Sequence, residues 1–229
     1  MSRSAQRQIS STKNIKHPNH YIQALHKEDW AIDEEMAVSY KGRWRALFDK
    51  NLPSSLHLEI GCGNGKHFSS LCLKAPQDCF LAIELKYKPL IQTIRRVTKN
   101  SSKNGRVIRY NARWIDNLFE PEELNHVYIH FPDPWLKKRR SKKHQLIQPD
   151  FCRKLYQIQK ANSFLELKTD SKDYFEQSVR EFKKAGYKLE KYNSHLYKQD
   201  RPVTDHLSQF ELIFVQKNIP IKYSLFRHP

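Results

Sequence analysis

The chain has 229 residues, 38% of them hydrophobic and 12% aromatic, enough to bury one substantial α/β core with a short extension. Its 41 Lys and Arg against 24 Asp and Glu leave a formal charge of +17, which favours an anionic partner, either nucleic acid or a membrane surface. No apolar run approaches the roughly 20 residues that cross a bilayer, the first residues carry no apolar signal core, and Cys62, Cys72, Cys79 and Cys152 have neither zinc-site nor disulfide-framework spacing; free thiols in the cytoplasm are the expectation.

Residues 1–20 are polar and lack an apolar period, which predicts a mobile arm. A lead-in helix is expected over 28–50, anchored by Trp30, Ile32, Met36, Val38, Trp44, Leu47 and Phe48, and Pro53 closes this first region, 1–53. From 54 onward short apolar runs alternate with amphipathic stretches. Strands are predicted at 56–60, 80–85, 107–110, 127–131 and 164–168. Helices are predicted over 65–74, 89–99, 149–160 and 173–185, the last closed by Gly186. Residues 187–192 and 210–216 read as two final strands with no helix between them. The alternation predicts a core domain over 54–217 built on a doubly wound, mostly parallel sheet with an antiparallel last strand, and 218–229 is left as a C-terminal tail.

In such a sheet ligands bind past the carboxyl ends of the strands. The first strand of the core runs into Leu58-Glu59-Ile60-Gly61-Cys62-Gly63-Asn64-Gly65-Lys66. Gly61, Gly63 and Gly65 allow a sharp turn and a close approach of backbone to ligand. Glu59 precedes the loop, and Glu84 ends the next strand, where a carboxylate suits a ribose diol. The dinucleotide fingerprint needs a third glycine three residues past the second, and Lys66 stands there instead. An acid followed by G-x-G-x-G is the pattern of S-adenosylmethionine sites, whose cationic ligand has no pyrophosphate and favours nearby carboxylates. Asn111, after the third strand, is either an adenine contact or a plain turn former.

The stretch 127–143 combines an apolar strand, a stiff Pro132-Asp133-Pro134 turn, the indole of Trp135 and six cations among residues 137–143. The two prolines restrict the backbone around Asp133, so the loop loses less entropy when substrate arrives. Trp135 is suited equally to stacking on a base or to anchoring a core. The basic run suits phosphate.

From about residue 55 to 216 the chain resembles the bacterial tRNA (guanine-N7-)-methyltransferases. The resemblance is carried by Phe131-Pro132-Asp133-Pro134-Trp135-Leu136-Lys137, followed by Arg139, Arg140, Lys142 and Lys143. It implies a Rossmann-like class I fold, so that 54–217 is a methyltransferase domain, with S-adenosylmethionine as methyl donor, tRNA as partner and no metal. It also implies that Glu59, Glu84, Asn111 and Asp133 contact the donor beside Gly61 and Gly63. Asp133 matches the catalytic acid, Lys137 a substrate-binding lysine and 139–144 the RNA-contacting segment. Asp170, in Lys168-Thr169-Asp170, and Thr204, opening a Thr-x-aromatic-Glu motif, match further substrate contacts.

Three positions depart from the family pattern. Asn111 replaces the usual Asp, His144 replaces an Arg, and Thr204-Asp205-His206-Leu207 lacks the aromatic and the Glu. Leu207 cannot accept a hydrogen bond from guanine, which leaves that contact missing or made by Asp205 or Glu211. The expected activity is methylation of guanine N7 in the variable loop of tRNA. N7 carries an in-plane lone pair and no proton, so alignment matters more than a strong base. N7 lies in the deep, narrow groove of A-form helices, which favours looped RNA.

Two alternatives compete, the second from a different class. Methyltransferases acting on exocyclic amines resemble this chain but carry Asp/Asn-Pro-Pro-aromatic, and Asp133-Pro134-Trp135 has one proline too few. A non-catalytic RNA-binding module on the same fold would not need Glu59 and Glu84. No membrane partner is expected, and the sequence is compatible with a monomer or a homodimer.

Overall fold

The computed structural model describes residues 24–25, 30–48, 55–135, 143–198 and 207–229. The chain packs as two units, one up to Glu120 and one from Pro121.

The first unit opens with strand β1 (Ala31–Ile32), helix α1 (Glu34–Ser39) and a 3-10 turn over Trp44–Leu47. This replaces the continuous lead-in helix expected over 28–50. The Asp33 side chain caps α1 by accepting from Met36 N–H at 2.9 Å, and the chain then turns through Gly42 at φ +72°, a left-handed conformation that ends helical continuation. Tertiary contacts also override the local preference. Ala31 and Ile32 pair in parallel with Val107 and Ile108, and the buried Trp44 donates its indole N–H to Leu118 O at 2.7 Å.

Strand β2 (Leu56–Ile60), helix α2 (Lys66–Lys74), strand β3 (Cys79–Glu84), helix α3 (Tyr87–Lys99) and strand β4 (Gly105–Arg109) follow. All are close to the predicted spans. β2, β3 and β4 are parallel, with Ile60 opposite Ile83 and Glu84 opposite Arg109. Every residue of β2 and β3 is buried, as expected of parallel strands covered on both faces. Phe68, Leu90, Ile94 and Val97 from the two helices pack with Phe80 and Val107 to close one side. Burial of each such side chain is worth about 1.5–3 kcal/mol. Because the strands run in parallel, their carboxyl ends bring residues 59–65, 84 and 111 to one edge.

The second unit contains strand β5 (Val127–His130), helix α4 (Pro149–Ile158), strand β6 (Phe164–Thr169), helix α5 (Lys172–Lys184), strand β7 (Lys188–Asn193), helix α6 (Gln209–Gln216) and strand β8 (Lys222–Arg227). β5 and β6 are parallel, while β8 pairs antiparallel with both β6 and β7. The antiparallel end of the sheet is thus as predicted, but the last strand is not at 210–216. That stretch is α6, and the segment expected as a tail carries the strand. Ser208 explains the difference. Its hydroxyl accepts from Glu211 N–H while the Glu211 carboxylate accepts from Ser208 N–H, a capping box that starts a helix despite the β-branched and aromatic residues that follow.

Helix α5 ends in a Schellman turn. Gly186, at φ +111°, donates to Lys183 O, Tyr187 donates to Phe182 O, and the Phe182 and Tyr187 rings pack with centroids 5.6 Å apart.

Candidate active site

In the first unit the glycine loop leaves β2 in left-handed conformation at Gly61 (φ +77°) and Gly63 (φ +56°). A Cβ at either position would meet no atom within 4 Å, so these two glycines face open space. Gly65 differs. A Cβ there would lie 2.5 Å from Thr93 Cγ2 and 2.7 Å from Thr93 Cα, so this glycine lets the loop sit on α3. Thr93 also holds the loop, donating its hydroxyl to Gly63 O at 2.9 Å, and Arg96 donates Nε–H to Asn64 O at 3.2 Å.

Glu84 braces the loop as well. Its Oε2 accepts from Gly63 N–H at 3.1 Å and its Oε1 from Lys86 N–H at 2.9 Å. Burial raises its carboxyl above the usual value, against the opposing pull of these backbone donors. Glu59 is buried, with Oε2 3.1 Å from Nδ1 of the buried His67, which fixes the carboxylate at the strand end. Asn111 caps the 3-10 turn Ala112–Asn117, its Oδ1 accepting from Arg113 N–H at 3.2 Å, so the turn-forming role weighed from sequence is present. One lone pair of that oxygen and the amide N–H2 stay available for a base edge.

Sequence reasoning missed His67, Thr93 and Arg96. Thr93 left a readable signal, a polar residue inside the apolar stripe Leu90-Ile94-Val97. The four cysteines are buried and free, and burial pushes the Cys62 thiol well up and that of Cys152 to about 12. A thiol held protonated in this way is a poor nucleophile.

In the second unit β5 runs into the Pro132-Asp133-Pro134 turn. The residues bounding it, Phe131 (φ +51°) and Trp135 (φ +47°), are both left-handed, and Phe131 also precedes a proline. Bulky residues in this region cost on the order of 1–3 kcal/mol each and persist only where the surroundings hold them. Phe131 is held by its N–H donating to Lys168 O at 2.8 Å and by ring contacts to Phe210 and Phe214 of α6. The far side is held by Gln145, which is buried and donates to Pro134 O at 2.7 Å, and by His144, whose ring lies 5.3 Å from that of Trp135. Asp133 is exposed, and Trp135 is 45% exposed, which excludes the core-anchor reading of the indole. Asp170 follows β6, which runs parallel to β5, so it stands at the same strand-end edge as the turn. Lys143 is exposed. Lys137, Arg139, Arg140, Lys142 and Thr204 lie outside the described residues.

Glu211, weighed from the sequence as a guanine acceptor, is engaged within the protein. It is 0% exposed and spent on the capping box, Lys168 and Tyr197. The hydroxyl-x-aromatic-Glu pattern sought from Thr204 is instead met by Ser208-Gln209-Phe210-Glu211, where Phe210 is 54% exposed. The sequence carried that signal as a capping box, obscured by the apolar run that follows it.

Residues 53–223 match a family model described as "Putative methyltransferase". A tRNA (guanine-N(7)-)-methyltransferase of Bdellovibrio bacteriovorus is 36% identical over 194 residues, covering 84% of this chain and 92% of that protein. One from Clostridium tetani is 33% identical over 184 residues, covering 77% and 86%. Among solved structures, the 16S rRNA methyltransferase KamB superposes with a TM-score of 0.59 at 12% identity, over 81% of this chain and 91% of that one. Phosphoethanolamine N-methyltransferase 2 of Haemonchus contortus, solved with S-adenosyl-L-methionine, gives 0.51 at 13% identity, over 82% and 53%. These likenesses establish the class I methyltransferase fold expected from the sequence.

Proposed function

The chain belongs to the tRNA (guanine-N7-)-methyltransferase family, and from that premise we propose that it methylates N7 of a guanine in the variable loop of tRNA, with S-adenosylmethionine as donor. The observation that carries the reading is the Phe131–Trp135 turn: an exposed acid between two prolines, bounded by two strained aromatic residues, directly before the basic run. The first unit fits the donor. The open space at Gly61 and Gly63 and the buried carboxylates Glu59 and Glu84 at successive strand ends support this reading.

In this reading Glu84 grips the ribose hydroxyls, using the lone pairs that the Gly63 and Lys86 N–H groups leave open. Glu59, oriented by His67, offsets positive charge on the ligand, and Asn111 contacts the adenine edge. Bound S-adenosylmethionine supplies an electrophilic methyl carbon whose C–S bond breaks, with its electron pair passing to sulfur, as the N7 lone pair forms the new bond. Asp133 orients the guanine and offsets the positive charge that the purine acquires; with no proton on N7, it need not act as a base. Lys137, Arg139, Arg140, Lys142 and Lys143 bind the tRNA backbone, and Asp170 contacts the substrate, with Ser208 in the place first given to Thr204. The enzyme works in the cytoplasm and uses no metal.

The test is transfer of label from tritiated S-adenosylmethionine to unmodified tRNA by the full chain. Incorporation supports the assignment. Tight tRNA binding with no incorporation and no donor binding by calorimetry would favour an RNA-binding module.

A further inference from the structure

Helix α3 turns Leu90, Ile91, Ile94 and Val97 into the core and leaves Lys88, Gln92, Arg95, Arg96, Thr98 and Lys99 exposed. Lys88, Gln92, Arg95 and Lys99 follow one another at helical spacing, which lines them along one face about 16 Å long. Lys86 precedes the helix and Lys103 follows it, both exposed. Residues 85–105 thus hold six cations and no Asp or Glu.

This arrangement works against the free helix. Lys86 is the N-cap of α3 and Lys88 lies in its first turn, with no acid there, so both stand at the positive end of the helix dipole. Arg95 and Lys99, and Arg96 and Lys99, are like-charge neighbours one turn apart. Helices of the second unit are built the other way. α4 carries Asp150 in its first turn, paired with Arg153 and Lys154, and α5 carries Asp173 in its first turn and Lys183 and Lys184 in its last. The first unit also partners the arginines it buries in part. Arg109 pairs with Glu34, and Arg106 donates to Leu47 O and lies over the Trp30 ring. Its ion pairs among the described residues take in none of Lys88, Lys99 and Lys103.

A face with this electrostatic cost is explained by an anion that relieves it on binding. The exposed residues of α3 are all polar, so the helix has no apolar face to insert among lipid headgroups. A phosphodiester backbone needs only the charges.

We propose that the exposed face of α3, with Lys103, is a second phosphate-binding surface that holds the backbone of the tRNA whose guanine is methylated. This rests on the reading of tRNA as the substrate. α3 also braces the glycine loop, through the Thr93 hydroxyl on Gly63 O and Arg96 Nε–H on Asn64 O. RNA held on the outer face of this helix therefore lies beside the loop that approaches the donor.

The experiment measures binding of unmodified tRNA to the full chain over a range of salt concentrations. One variant combines Lys88→Gln, Lys99→Gln and Lys103→Gln, and keeps Arg96 because it braces the loop. The proposal predicts affinity weaker by about 10-fold at about 0.1 M salt, and a slope of log affinity against log salt smaller in magnitude by about 2–3. Affinity for S-adenosylmethionine stays within about twofold, since Glu59, Glu84 and Asn111 are untouched, and the thermal midpoint of the free protein does not fall. A second variant, Lys88→Glu, gives the first turn the acid it lacks. Its thermal midpoint rises while its tRNA binding weakens, a divergence that a purely structural lysine would not show. Parental tRNA affinity and slope in the triple variant overturn the proposal, whether or not that variant loses binding to phosphatidylserine vesicles. A loss of tRNA affinity that comes with a lower midpoint and weaker donor binding overturns it too, because it marks a structural role. If the parent binds tRNA but transfers no methyl, the functional reading fails and the salt slope still judges the face.

Discussion

Glu84 has two demands on one carboxylate, and they pull in opposite directions with pH. Burial raises its folded-state value above the ordinary carboxylate range, against the pull of the Lys86 and Gly63 amides. Folding therefore favours the protonated form. Its contribution to stability is present below the unfolded carboxyl's value and lost as pH rises through the folded one. Ribose binding needs the ionised form, which can accept from two amides and two hydroxyls at once. Calorimetric affinity for S-adenosylmethionine is accordingly expected to weaken as pH falls from neutral through the raised value, while Glu84's own contribution to thermal stability grows over the same window. Asp133 is exposed at the turn. Asp133→Ala is expected to lower kcat by about 10²-fold with tRNA affinity nearly unchanged, since orientation and charge offset are lost but phosphate contacts are not. Unchanged turnover in a steady-state assay would remove Asp133 from the mechanism.

At the scale of elements, the three loop glycines look alike in sequence but serve different ends. Gly65→Ala forces a Cβ into the Thr93 backbone at a positive φ, and a loss of about 2–4 kcal/mol in denaturant unfolding is expected from overpacking plus left-handed strain. Gly61→Ala meets open space, so its stability loss should be about 1–2 kcal/mol, from strain alone. Its larger effect should fall on donor affinity. Equal losses of stability would contradict the division of roles. The sequence made the parallel strands and their helices legible, because buried runs such as Leu56–Ile60 and the apolar stripe Leu90-Ile94-Val97 have clear periods. It misplaced the end of the chain because Phe210 and Leu212 to Val215 are apolar and β-rich in type, while the start of that helix depends on two hydrogen bonds at Ser208. The lead-in was misread for a similar reason, since Ala31 and Ile32 are fixed by strand pairing with distant Val107 and Ile108. In the site, the carboxylates and the Pro-Asp-Pro-Trp turn were legible as residue types. Their supports His67, Gln145 and Lys168 were not, because each acts through a partner brought near only by folding, and Thr93 was marked only as a polar residue inside an apolar stripe.

At the scale of the molecule, the net charge of +17 acquires a purpose if the partner is a polyanion. The residues flanking the basic run are held together by Gln145 on Pro134 O and by the Trp135–His144 ring contact. If about four cations of residues 137–143 neutralise phosphates, this segment contributes a slope of about −4 to log affinity against log salt. Replacing Lys142 and Lys143 together with Gln should weaken tRNA binding at every salt concentration and reduce the slope by about 2, with kcat at saturating tRNA little changed. The central claim, however, concerns which atom is methylated. The most direct measurement is borohydride reduction followed by aniline treatment of tRNA methylated in vitro by the full chain. Strand scission at one guanine in the variable loop is the predicted result. Full methyl incorporation with no scission would place the methyl on another atom and contradict the account.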